Sequence, residues 1–260
     1  MRQIFKEYCE INRKDLIVFF PEFAIRNYFS NSGSEPFELG DFETLIADLS
    51  HAVIIFPEAA GSYAETGYFC VSPRVAVKTI LALDSKYQAL DSFISMGPAI
   101  KFNKLSKFRD VIQLSYSTPT FDDIIKRIER VPIQKYRKAL SADKFSALTH
   151  YEKFCLIHTC VDILGIATID DIIFMFRAMF KSQLSKSNVE QLTSILIGAD
   201  FLRQVGVYGH YYVNKAKGKL LELRSGFLTE INTLRLELAN VYSKAGLEFV
   251  ELVEESHNAN

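Results

Sequence analysis

The sequence predicts an α/β protein: an open doubly wound parallel sheet, followed by an all-helical winged helix-turn-helix domain with a long C-terminal helix. Three observations carry this prediction. Four short blocks, LIVFF (16–20), AVIIF (52–56), TILAL (79–83) and DVIQL (110–114), are almost uniformly apolar, as strands covered on both faces must be. Helical candidates such as DFETLIADLS (41–50) and SYAETGYFCV (62–71) lie between them, so the connections read as βα units and the strands as parallel. After about residue 145 the strand blocks stop and apolar residues recur at helical spacing.

With 260 residues, 48% hydrophobic and 23% charged, the chain can bury a substantial core. No apolar run approaches the roughly 18–20 residues of a membrane span, and the opening MRQIFKEYCEINRK lacks the apolar core of a secretory signal. The expectation is a cytoplasmic protein with no membrane partner. Cys9, Cys70, Cys155 and Cys160 are scattered, and the spacing of the last two fits no usual zinc knuckle, so all four read as reduced core residues. The five histidines have no metal-ligand spacing, and His158, on an apolar helical face, reads as a satisfied core residue. No glycine-rich fingerprint of the Walker or dinucleotide type occurs. No metal or cofactor is expected.

The net charge of −1 announces no global field, but the middle of the chain is locally basic. The run KRIERVPIQKYRKALSADK (126–144) reads as a solvated linker at a change of pattern, which predicts domains at 1–130 and 146–260 joined by a basic linker at 131–145.

In the second domain HYEKFCLIHTCVDIL, TIDDIIFMFRAMF and KSNVEQLTSILIGADFLRQ have helical periodicity, with Thr168 and Ser187 as candidate caps. Two short β runs then flank Tyr208, Gly209 and His210. Three helices and a hairpin make a winged helix-turn-helix, with 186–203 as the recognition-type helix. Lys181, Lys186, Arg203, Lys215, Lys217 and Lys219 give it a basic side suited to phosphates, and the same fold can equally serve as a protein docking platform. From Phe227 onward a long amphipathic helix should pack on its own domain or on a second copy, so a higher-order oligomer stays open.

The chemistry gathers at AVIIFPEAAGSYAETGYF (52–69). A buried strand ends at Pro57, the small residues Ala59, Ala60 and Gly61 let backbone approach a ligand closely, and Glu65 falls in the first turn of the next helix. Cleaving a ribose–base bond builds positive charge at the anomeric carbon, and a carboxylate beside it can stabilise that charge or attack to form a glycosyl ester. Glu65 is the candidate. Gly61 and Ser62 could present amides and a hydroxyl to a phosphate at the helix start, and Glu58 could hold ribose hydroxyls. The plainer reading of Glu65 is a helix-dipole partner. Asp84, at a strand end, reads more simply as a turn former.

These residues carry a resemblance. FPEAAGSYAETGYF (56–69), preceded by FETLIADLSHAVII and followed by DSFISMGPA (91–99), resembles the effector proteins of retron anti-phage systems. Their N-terminal domains are similar to nucleoside deoxyribosyltransferases and their C-terminal domains are winged helices. The resemblance implies an N-glycosidase acting on a nucleotide-like substrate, held in complex with a reverse transcriptase and its RNA-linked single-stranded DNA. It favours catalysis for Glu65, makes Glu43 either a site-orienting acid or a helix N-terminal one, and leaves NAD, a nucleoside monophosphate or a base in DNA as alternative substrates. It also implies an initial strand before the first helix, so sequence upstream of Met1 or a partner strand is expected. The rival reading is a nucleotide-sensing winged-helix regulator without catalysis.

Overall fold

The computed structural model describes residues 1–31, 38–86, 91–132, 144–180, 185–206, 209–215 and 218–245. The chain forms two compact units, one of Met1–Val18 with Leu39–Ala139 and the other of Phe19–Glu38 with Leu140–Asn260. Most of the expected basic linker, 131–145, lies outside the described residues.

The first unit is mixed α/β. Its strands β1 (Val53–Ile55), β2 (Thr79–Asp84) and β3 (Ile112–Leu114) form a parallel sheet in that order. β2 is central and its apolar residues are all buried, so alternate side chains feed two cores. Ile80 and Ala82 join Phe5 and Cys9 of α1 (Arg2–Asn12) and Ile124, Ile125 and Ile128 of α7 (Asp122–Arg130) on one face. Leu81 and Leu83 meet the other layer on the opposite face. That layer brings Ala47 of α3 (Leu39–Leu49), Phe69 of α4 (Ala60–Val71), Val75 of α5 (Pro73–Ala76) and Phe102 of α6 (Ile100–Leu105). Helices on both faces explain why AVIIF, TILAL and DVIQL are uniformly apolar. Lys78 fixes the end of α3 by donating to the carbonyls of Ala47, Asp48 and Ser50 at 3.2, 2.7 and 3.1 Å.

LIVFF is not a strand. Residues 16–20 run without regular structure: Leu16 and Val18 pack against the first unit's core, while Phe19 and Phe20 belong to the second unit. Pro21, which has no N–H to give a ladder, then opens α2 (Pro21–Asn31).

The second unit is built on α8 (His150–Leu164), α9 (Ile169–Phe180) and α10 (Lys186–Gly198). A small antiparallel sheet of β4 (Ile166–Ala167), β5 (Leu202–Val205) and β6 (Tyr211–Asn214) has β6 in the middle. Thr149 and Glu152 close the start of α8 reciprocally, and Thr168 with Asp171 does the same for α9. Ser187 does not cap α10; Ser185 stands at that position and the Ser187 hydroxyl bonds Tyr28 of α2 at 3.1 Å. α11 (Leu228–Ala245) is the long C-terminal helix.

All four cysteines are buried and free. No group of His, Cys, Asp and Glu among the described residues could hold a metal ion, and no helix among them is long and apolar enough to cross a membrane. His158 is buried as expected but not satisfied: its ring stands edge-on to Phe201 at 5.8 Å and its Nε2 has no hydrogen-bond partner. Burial holds this imidazole below its ordinary value, against the opposing pull of Asn214 and Asp162. The unfolded chain therefore takes up a proton near pH 6.5 while folded His158 refuses it, and acid favours unfolding. The second unit should lose melting temperature progressively below about pH 6.5. His158→Leu should flatten that slope in calorimetry, and equal slopes in both proteins would refute the assignment.

Candidate active site

Parallel pairing brings three strand ends to one edge of the sheet. After β1, Phe56 and Pro57 are still buried, and the chain reaches the surface at Glu58 and stays exposed through Gly61. Ser62 closes this loop. Its hydroxyl accepts from Glu58 N and Ala59 N at 2.9 and 3.1 Å and donates to Ala59 O at 2.9 Å. That hydroxyl, expected to meet a phosphate, is thus engaged in shaping the loop. The first helical hydrogen bond of α4 is Tyr63 N to Ala59 O at 3.1 Å. The amides of Ala60, Gly61 and Ser62 precede it and project from the helix start without intrahelical acceptors.

Glu65 is not in the first turn. α4 begins at Ala60, two residues earlier than the pattern SYAETGYFCV predicts, because Ser62 reaching back lets Ala60 and Gly61 join the helix. The dipole's influence falls off beyond the first turn, so the plainer reading of this acid loses its basis. Glu65 is half-buried. Helical side chains lean toward the N-terminus over the residues three and four positions earlier, which here are Ser62 and Gly61. A Cβ added to Gly61 would meet nothing within 4 Å, and its backbone is not left-handed. Neither packing nor conformation demands glycine there. Its effect is to leave bare backbone at the second residue of α4, one turn before Glu65.

Glu43 lies one turn inside α3, half-buried, and the first-turn acid of that helix is Asp41. The two acid-bearing helices touch nearby: a Cβ on Gly40 would come within 2.6 Å of the Tyr68 hydroxyl. Glu58, at the strand end, takes the Met1 amino group on its two carboxylate oxygens at 2.9 and 2.8 Å.

Two further residues complete this edge. Asp84 ends β2 and accepts from Lys86 N at 3.1 Å, the expected turn-forming bond. Tyr116, just past β3, donates to the Ala82 carbonyl at 2.7 Å and packs edge-on against Phe56. Burial raises its phenol pKa, and the negative charges of Glu58 and Asp84 add to the effect. Glu58, Asp84 and Tyr116 therefore share one electrostatic neighbourhood. The signal for Tyr116 was available: SYSTPT (115–120) follows the third strand block directly.

In the second unit the expected recognition helix does not span 186–203. α10 ends at Gly198, and Arg203 lies in β5. From Val189 to Ala199 no residue of this stretch is exposed. α2 covers it closely: a Cβ on Gly198 would fall 2.8 Å from Ala24 N, and Asn27 donates to Gln204 at 3.0 Å. A helix packed this way offers no long free face to a groove. Lys186 and Lys219 are exposed, Lys215 pairs with Asp200, and Lys181 and Lys217 lie outside the described residues.

The sequence matches the STM3845 retron effector protein family over residues 1–204. It is also 32% identical over 98 residues to an Escherichia coli protein of retron Ec86, provisionally named a ribosyltransferase/DNA-binding protein. That match spans 36% of this chain and 31% of the relative. With most of its length matched, the chain belongs to the STM3845 retron effector protein family.

Proposed function

We propose that the first unit is a nucleoside deoxyribosyltransferase-like N-glycosidase, the toxic effector of a retron anti-phage system. The observation that supports this reading is that Gly61, with open space around it, and half-buried Glu65 lie one turn apart on α4, behind the loop at the strand ends. A nucleotide-like substrate lies with its phosphate toward the amides of Ala60, Gly61 and Ser62, where orphan N–H groups favour an anion. Its anomeric carbon faces Glu65. As the bond to the base nitrogen breaks, the carboxylate stabilises the cationic sugar or attacks it to form an ester that water then hydrolyses. Glu58, whose two oxygens take the Met1 amino group, offers its remaining lone pairs to ribose hydroxyls, Glu43 orients the site, and Tyr116 fixes the wall formed by the end of β3. NAD, a nucleoside monophosphate and a base in DNA share the scissile bond.

Glu65→Gln keeps size and most hydrogen bonding but removes the charge, so base release from a nucleotide pool should fall on the order of a hundredfold or more, with toxicity, in a folded protein. Gly61→Ala separates site from scaffold. It should stabilise α4 by up to about 1 kcal/mol, because alanine is the better helix former. It should nonetheless lower kcat/KM roughly tenfold or more by placing a methyl group under the substrate. Full activity in folded Glu65→Gln would overturn the catalytic reading, and nucleotide binding without base release by the wild type would favour the regulator.

We further read the second unit as a winged-helix-like module, its helices followed by the β5–β6 hairpin, that docks onto the reverse transcriptase and its RNA-linked DNA. The burial of α10 favours docking over groove reading. Exposed Lys186 and Lys219 are the phosphate contacts, together with Lys217, which lies outside the described residues, and Lys215 joins them with a charge already met by Asp200. Lys186→Glu with Lys219→Glu should weaken association with the RNA-linked DNA and flatten its salt dependence, since fewer counterions are released. An unchanged salt slope would assign this face to protein alone.

A further inference from the structure

One side of α11 is used by its own unit. Ile231, Arg235, Leu238 and Tyr242 are half-buried. Arg235 donates to the Asp162 carboxylate at 2.8 Å and to its carbonyl at 3.1 Å, and Tyr242 donates to the carbonyl of Leu164 at 3.0 Å. Beside this side runs a second apolar line. Phe227, in the short 3-10 turn (Ser225–Phe227) just before α11, and Leu234 and Val241 on the helix stand seven residues apart and are 59%, 38% and 58% exposed. Ile231 and Leu238 alternate with them at steps of four and three, which is the seam of a coiled coil. Ile231 and Leu238 are shared with the side its own unit uses, and Leu234 and Val241 widen that stripe into solvent.

We propose that this line is a self-association surface that pairs with α11 of a second copy in antiparallel orientation. A two-fold interface requires a surface complementary to itself, and the apolar line meets that requirement. Charge sets the direction. The solvent border of the line carries exposed Glu230, Glu237 and Lys244. A parallel, in-register pair would set Glu230 across the seam from Arg235 and Glu237 from Tyr242. In the antiparallel pair Leu234 lies opposite Val241 of the second copy and Glu230 opposite its Lys244, which leaves only Glu237 near a like charge. Arg235, the cation that would answer Glu230 across a parallel seam, is committed to Asp162. The inference rests on α11 alone and stands apart from the catalytic reading.

Sedimentation of the full chain from low to high micromolar concentration should give twice the 29.6 kDa of one chain. Leu234→Lys should keep it at the single mass with an unchanged circular dichroism spectrum, because the side chain is not buried. A chain carrying both Leu234→Cys and Val241→Cys should yield covalent dimers on mild oxidation. Within one helix those positions are two turns, about 10 Å, apart and cannot bridge. The native cysteines are buried. A wild type that stays monomeric at every concentration, a dimer that survives Leu234→Lys, or efficient crosslinking by Leu234→Cys alone would each overturn the proposal.

Discussion

Parallel pairing through β2 is the constraint on which the candidate site depends. Val53, Ile54 and Ile55 stand opposite Thr79, Ile80 and Leu81, and Ala82, Leu83 and Asp84 opposite Ile112, Gln113 and Leu114. This register delivers Glu58, Asp84 and Tyr116 to one edge. It is held because successive residues of β2 enter different cores, so a slip by one residue would exchange the partners of every side chain. Each large apolar side chain buried this way contributes about 1.5–3 kcal/mol. A set of exposed polar residues could not fix three strand ends by itself.

Above the sheet, local hydrogen bonding does the finer placement. Ser62 holds two amides of the loop and so decides where α4 starts. That start brings Gly61 inside the helix, so that it and Glu65, four positions on, share one face. The same residue type that weakens a helix elsewhere leaves an opening here, and the acid one turn later is removed from the helix end where a dipole alone would explain it. Tyr116 joins β3 to the main chain of β2 at Ala82, so the far wall of the edge is fixed by the sheet as well.

Much of this was legible in the sequence. AVIIF, TILAL and DVIQL could be read because a strand covered on both faces has no polar side to disguise it. LIVFF carries the same composition and misleads, because its residues are divided between two units and Pro21 follows. Periodicity placed α8, α9 and α10 but could not foresee that α2, far away in sequence, lies on α10, since long-range packing leaves no local mark. The start of α4 was misjudged by two residues because a serine inside the first turn, rather than at the cap, organises it. Tyr116 was passed over because its meaning depends on which strand end it follows.

Two features of the second unit leave no mark in its local sequence. Lys215 is answered by Asp200, and the helix that would read a groove is occupied by a neighbour from its own chain. Exposed Lys186, Lys219, Leu234 and Val241 lie at its surface. For the first unit the decisive observation is where a ribose binds. A crystal structure of the Glu65→Gln variant soaked with nucleotide tests this most directly. The account predicts an anomeric carbon within about 3.5 Å of the carboxamide at position 65, with phosphate on the amides of 60–62. A ribose bound elsewhere, or turned with its anomeric carbon away from that side chain, would contradict it.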